Sequence, residues 1–126
     1  MMRYISRVLE SKFQQYLTQF PIVGITGPRQ SGKSTLLKHC LKHKYRYFSF
    51  DKGINRNLFY NDPIRFIETY DNYVVFDEVQ KVPEFFEYIK DAIDNDRQNY
   101  GKYVVSGSAQ FSLIEKITES LAGRIG

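Results

Sequence analysis

Cys40 is the one cysteine in this 126-residue chain, so no disulfide can close within it. A disulfide-stapled secreted scaffold is thereby excluded, and the composition fits a reducing compartment. Long apolar runs are missing as well. No stretch approaches the roughly 20 residues that a membrane-crossing helix needs. The first residues lack the apolar core of a signal peptide. The expectation is a cytoplasmic chain with no membrane partner. Internal repeats and low-complexity segments are absent. There is no extreme of charge: the formal net charge is +4, with a pI near 9.1. Such a modest excess suits a polyanionic ligand without arguing for nucleic acid. The basic run Lys38, His39, Lys42, His43, Lys44 and Arg46 reads as a solvated helix end favoured by the helix dipole, with a nucleic-acid contact as the alternative.

What the chain does contain is Gly27-Pro28-Arg29-Gln30-Ser31-Gly32-Lys33-Ser34, followed by Thr35. The pattern is G-x-x-x-x-G-K-[ST], a loop that cradles phosphates. Ile22-Val23-Gly24-Ile25-Thr26 before it is β-prone and apolar. Leu36-Leu37-Lys38-His39-Cys40-Leu41 after it is apolar at helical spacing, with Cys40 as a small buried residue of that helix. The loop therefore stands between a strand and a helix, the context its chemistry requires. Gly27 and Gly32 allow the backbone to approach a triphosphate closely. Successive N–H groups and the helix's positive end meet the anion. Lys33 is expected to reach the β- and γ-phosphates of ATP, the Ser34 hydroxyl to ligate Mg²⁺, and Thr35 to touch the α-phosphate. Arg29 and Gln30 lie within the loop; their side chains are expected to point outward, and their roles stay open.

The rest of the chain reads as alternating helices and strands. Ile5, Val8, Leu9, Phe13, Tyr16, Leu17 and Phe20 recur at helical steps, predicting an amphipathic helix over 4–20 that ends near Pro21 and packs across a sheet. After the loop a helix is expected from Lys33 to His43, and a second strand over Tyr45–Phe50. The polar segment Lys52–Asn61 reads as loop or short helix. Asp62-Pro63 resembles an N-cap and first helical residue, opening a helix through Tyr70. Tyr73-Val74-Val75-Phe76-Asp77-Glu78 is a buried strand closed by two carboxylates. Phe85, Phe86, Ile89, Ala92 and Ile93 share one side of the next helix, with Asp91, Asp94 and Asp96 on its wet side. Asn99-Tyr100-Gly101 is a turn, and Lys102–Ser106 a fourth strand running into Gly107-Ser108. A last helix is expected over Phe111–Leu121, stopped by Gly123.

This alternation predicts an α/β fold, a three-layer sandwich around a parallel sheet, as one domain over 1–126 with its core over 21–126. In parallel sheets ligands bind beyond the carboxyl ends of the strands. The phosphate loop, Asp77-Glu78 and Ser106–Ser108 all fall there. Asp77 is expected to hold Mg²⁺ and Glu78 to orient and deprotonate the attacking water. Ser106 or Ser108 would sense the γ-phosphate, a choice the residues leave open. Arg124 is a candidate arginine finger, acting on its own chain's nucleotide or on a neighbouring subunit's. No guanine-reading Asn-Lys-x-Asp segment occurs, and no arginine-rich lid of a small-molecule kinase is evident. ATP hydrolysis is thus the leading reading, and a nucleotide-binding regulatory module with little turnover the alternative.

Four blocks carry a family resemblance: Gly27-Pro28-Arg29-Gln30-x-Gly32-Lys33-Ser34, Asp77-Glu78-Val79-Gln80-Lys81-Val82-Pro83, Ser106-Gly107-Ser108-Ala109-Gln110-Phe111 and Glu119-Ser120-Leu121-Ala122-Gly123-Arg124. In this order they resemble the prokaryotic AAA-type ATPases whose ATPase domain precedes a C-terminal nuclease-like domain. Ser31 and Ser34 stand where that family more often has valine and threonine, and serine also ligates Mg²⁺. The resemblance implies a sheet in which the first strand lies between a fifth strand and the fourth, followed by the third and second. It makes Gln80 a partner of the catalytic acid. It also implies that the family's chain continues past Arg124 with that fifth strand and a helical lid, so that this chain is expected to be an N-terminal fragment with weak ATPase activity. An open edge at the first strand would then favour self-association.

Overall fold

Three apolar residues in a row, Val74, Val75 and Phe76, fix the centre of the sheet. In the computed structural model, which describes residues 7–26, 44–71, 73–96 and 98–107, they are almost wholly buried. They belong to β3 (Val74–Asp77). The other strands are β1 (Ile22–Thr26), β2 (Arg46–Ser49) and β4 (Tyr103–Gly107). Their order across the sheet is β1-β4-β3-β2, and every pairing is parallel. This is the expected α/β architecture, and the described strands stand in the neighbour order that the family resemblance implies. A strand buried on both faces needs no polar alternation, which is why β3 and β4 read as near-continuous apolar runs.

Each face of the sheet has its own core. On one, Phe13 of α1 (Arg7–Tyr16) packs with Val23, Val75 and Val104, flanked by the half-buried Tyr16, Leu17, Phe20, Ile25 and Tyr45. The first helix therefore does pack across the sheet, as its apolar spacing predicts. On the other face Ile22, Val74, Phe76, Tyr103 and Val105 meet Phe59 of α2 (Gly53–Asn61), Phe66 and Ile67 of α3 (Pro63–Thr69), and Phe85, Phe86, Ile89 and Ile93 of α4 (Phe85–Asp94). This second core is built largely of aromatic rings. Phe76 stacks on Phe50 at 5.9 Å between ring centroids and lies 4.8 Å from Phe85. Such pairs add to area burial because ring edges and faces attract.

The polar segment after β2 is the helix α2, and its hold on the sheet is polar too. Asn55 Nδ2 donates to the Ser49 carbonyl at 2.7 Å, and the Arg56 guanidinium donates to the carbonyls of Phe50 and Asp51 at 2.7 and 3.0 Å. These bonds occupy carbonyls left over where β2 ends. Asp62 caps α3 as its sequence suggests, Oδ1 accepting from the Arg65 N–H at 3.2 Å with Pro63 in the first turn. Asp91, Asp94 and Asp96 are exposed, on the wet side of the α4 segment.

At the amino end of β4 the chain does something its sequence hides. Lys102 is only 3% exposed, its Nζ lying 3.3 Å from Asp71 and 3.4 Å from Asp96. A buried ammonium is tolerated only with such partners. Asn99's side-chain amide and Lys102 hold the Asp96 carboxyl below its usual range. A depressed folded pKa means that this contribution to stability is present above the unfolded pKa and lost as pH falls through the folded one. Burial, then the Asp71 charge, pushes the Tyr103 phenol well above its ordinary value. Next to Lys102, Gly101 turns the chain at φ 73°, its N–H donating to the Phe20 carbonyl at 2.8 Å.

The expected helices over 33–43 and 111–121, including Cys40 and the basic run as far as His43, lie outside the described residues. Among the described residues no helix is long and apolar enough to cross a membrane.

Candidate functional site at the carboxyl end of the sheet

The side-chain period of two places alternate residues of each strand on one face. In β3, Val75 and Asp77 share the face that carries α1. In β4, Val104 and Ser106 share it, and in β1, Val23 and Ile25. The register aligns Val23 with Val104 and Val75 with Val104. The apolar row Val23, Val104, Val75 is therefore followed, one step toward the carboxyl ends, by Ile25, Ser106 and Asp77. The core of this face ends and a polar site begins within two residues.

Asp77 is the centre of that site. It is 3% exposed and Ser106 1%. The Ser106 hydroxyl donates to Asp77 Oδ1, and the Glu78 N–H donates to the same oxygen at 2.9 Å. The Tyr47 hydroxyl of β2 donates to Oδ2. Buried carboxylates need donors in place of the water they have lost, and here three elements supply them.

Glu78 stands just past the strand in the left-handed region, φ 58° and ψ 44°. A non-glycine residue there costs about 1–2 kcal/mol. The conformation turns the chain abruptly from β3 into a single 3₁₀ turn, Val79–Lys81, whose Val79 drops into the aromatic core. It also directs the Glu78 N–H back at Asp77. The Glu78 side chain is itself largely buried, with Oε1 accepting from Gln80 Nε2 at 2.8 Å. Lys81 and Asp51 form an ion pair at 2.9 Å that links this turn to the end of β2. Both are well exposed, so its contribution is small.

Of the residues singled out from the sequence, the structure brings Asp77, Glu78 and Ser106 together. It also brings them to the end of β1. Thr26, the residue before the glycine-rich loop, is in register with Gly107, and Ile25 with Ser106. Gly27, Pro28, Arg29, Gln30, Ser31, Gly32, Lys33, Ser34, Thr35, Ser108 and Arg124 lie outside the described residues. Tyr47 is the site residue that the sequence did not yield. In an aromatic-rich strand it reads as one more core ring. Only the pairing of Tyr47 with Val75, two residues before Asp77 on the same face, reveals its reach.

A family model described as an AAA domain matches residues 19–126. Two uncharacterized proteins, from Mycobacterium bovis and Mycobacterium tuberculosis, are each 28% identical to the chain over 116 residues. The match covers 91% of this chain and 26% of each relative, so the chain spans about a quarter of the length of the curated relatives it matches.

Proposed function

The chain belongs to the AAA domain family, and from that premise we propose that it binds ATP with Mg²⁺ through the loop over 27–35 and hydrolyses it with Glu78 as general base. The observation that supports this reading most is the place of Asp77 and Glu78. They leave β3 at the same end of the sheet where β1, separated from β3 by β4, runs into the glycine-rich loop.

Asp77 fits a magnesium site by its chemistry. It offers hard carboxylate oxygens held at a strand end, and Mg²⁺ takes one or two carboxylates together with phosphates and water. Ser34 and Asp77 are the residues that would hold the ion. When bound, it offsets the charge of the β- and γ-phosphates. Lys33 and the N–H groups of the loop would neutralise the remaining charge. Glu78 would orient a water toward the γ-phosphate and accept its proton. The Gln80 amide, bonded to Oε1, would help to orient that carboxylate. Ser106, bonded to Asp77, would orient the aspartate, and Ser106 or Ser108 would contact the γ-phosphate. Arg124 would complete the charge stabilisation, in its own chain or a neighbour's.

Lys33→Ala is expected to weaken binding of ATP with Mg²⁺ by about ten- to a hundredfold, the cost of losing hydrogen bonds to a charged group. Titration with a fluorescent ATP analogue reads this directly, with GTP as the control for base selectivity. Unchanged ATP affinity would remove the loop from the site.

The domain is proposed as a single ATPase unit within a longer family architecture. Its task in the cell, the nuclease-like domain of the resembling family and any nucleic-acid contact are proposals of the same kind. Self-association is proposed through β1, which among the described strands is paired on one side alone, or through Arg124. Light scattering across a concentration series should show mass rising above that of one chain. A constant monomer mass at the highest concentration would end this proposal.

A further inference from the structure

The large apolar side chains that face solvent are gathered in one stretch. Six such residues are exposed among the described residues, and four of them, Ile54, Leu58, Tyr60 and Ile64, fall within 54–64. Ile54 is 70% exposed and Leu58 46%. Both lie on α2, four residues apart and so on one face. Asn57 and Asn61, exposed as well, share that face. Positions 54, 57, 58 and 61 follow the three- and four-residue spacing of a helix–helix seam. They carry no charge. The one charged residue of α2, Arg56, is half-buried and donates to the carbonyls of Phe50 and Asp51. Every other described helix shows charge on its exposed side: Lys12 in α1, Arg65 and Glu68 in α3, Glu87, Asp91 and Asp94 in α4. A helix face turned to water is ordinarily polar and charged, so an uncharged one bearing isoleucine and leucine is suited to contact.

We infer that this face of α2 docks a second copy of the chain, two α2 helices crossing antiparallel about a two-fold axis near Leu58. The inference stands apart from the ATPase reading and from pairing through β1. Charge decides the occupant. A polyanion needs cations, and this face offers none. A charged protein partner needs opposite charges to receive it. Two copies of a chain with net charge +4 repel one another, and they meet least opposition through a face without charge. A two-fold interface must also complement itself. Isoleucine and leucine do so, and so does asparagine, whose amide both donates and accepts. Asparagine within a helix seam fixes register at some cost in stability. In the antiparallel crossing Leu58 lies close to its own copy, and Asn57 comes within reach of the partner's Asn61. A patch of this size falls short of the roughly 800 Å² per partner of a stable interface. The pairing is therefore expected to be weak and reversible, with a dissociation constant of about 10 µM to 1 mM.

Sedimentation equilibrium over a concentration series reads the pairing. The parent's mean mass should rise toward that of two chains. Leu58→Glu sets like charges against each other across the axis and is expected to weaken pairing at least about tenfold. Its melting midpoint should match the parent's, because Leu58 is already half in water. Should that midpoint fall, Ile54→Glu, at a position 70% exposed, carries the same comparison. An equal mixture of Leu58→Glu and Leu58→Lys should recover the parent's mass, since residue 58 of one copy then meets the opposite charge on the other. A parent that stays one chain at the highest concentration overturns the inference. Mass rising equally in parent and variant overturns it as well, and leaves association through β1 standing. A mixture that fails to recover pairing overturns the two-fold crossing and the inference with it. Binding of the parent to vesicles of phosphatidylcholine and phosphatidylglycerol, lost in Leu58→Glu and unaccompanied by any rise in mass, would make the face a lipid surface and overturn it too.

Discussion

Glu78→Gln is expected to cut kcat for ATP hydrolysis by about 10²–10⁴-fold, the usual worth of a positioned general base, while ATP binding stays close to that of the parent. The substitution suits the geometry. The introduced amide keeps an oxygen to accept the Gln80 bond, and Gln80 Nε2 donates to Oε1 in the parent. The left-handed backbone at position 78 and its N–H bond to Asp77 belong to the main chain and survive the change. Fold and the proposed nucleotide site are therefore expected to survive the change, which removes the basic carboxylate. Phosphate release under saturating ATP and Mg²⁺ is the measurement, with analogue binding as the control. Equal rates in parent and variant would strip Glu78 of its role and leave a nucleotide-binding module whose turnover, if any, arises elsewhere.

The second large effect concerns stability. Gly101→Ala is expected to destabilise the fold by about 2–4 kcal/mol, combining the left-handed penalty with overpacking. Gly101 sits at φ 73°, and a Cβ there would lie 2.8 Å from the Leu17 carbonyl oxygen and 3.0 Å from the Tyr45 hydroxyl. The nearer atom is backbone, so it yields only if the whole turn after α1 moves. Gly101 cannot retreat either, because its N–H is bonded to Phe20 and its carbonyl accepts from Tyr45. Urea unfolding should show a midpoint lower by roughly 1–2 M with an unchanged slope, since m for small domains is about 1–3 kcal/mol per M. A midpoint equal to the parent's would mean that this turn opens at little cost.

The two predictions probe opposite ends of the sheet, and those ends differ in how openly the sequence announced them. Val74 to Asp77 could be read because an apolar run ending in acids suits a buried parallel strand. Asp62-Pro63 could be read because a cap and a proline act locally. The segment 52–61 resisted reading for a physical reason. Helical periodicity reports burial, yet in α2 Phe59 is the buried residue while Ile54 and Leu58 face solvent. What anchors α2 is a set of side-chain bonds from Asn55 and Arg56 to the end of β2, contacts that exist only once the chain has folded. Lys102 escaped for a related reason: a lysine opening a strand looks like a surface residue until Asp71 and Asp96 are brought beside it. In the site, Asp77, Glu78 and Ser106 announce themselves by residue type at strand ends. Tyr47 does not, because its part depends on register between two strands separated by both α2 and α3.

The pairing of β1 with β4 carries a consequence for how the chain comes into being. Ile22 meets Tyr103, and among the described residues β1 hydrogen-bonds to no other strand. On a ribosome β1 emerges first and its partner last. Over that whole interval β2 and β3, which lie closer in sequence, can zip together, while β1 must wait with its peptide groups bonded to water. Distant pairings of this sort slow folding, since a long loop has to close before any contact rewards it. The strand that leads into the glycine-rich loop is thus expected to find its place late, and the proposed ligand site to be assembled only after most of the described sheet has been made.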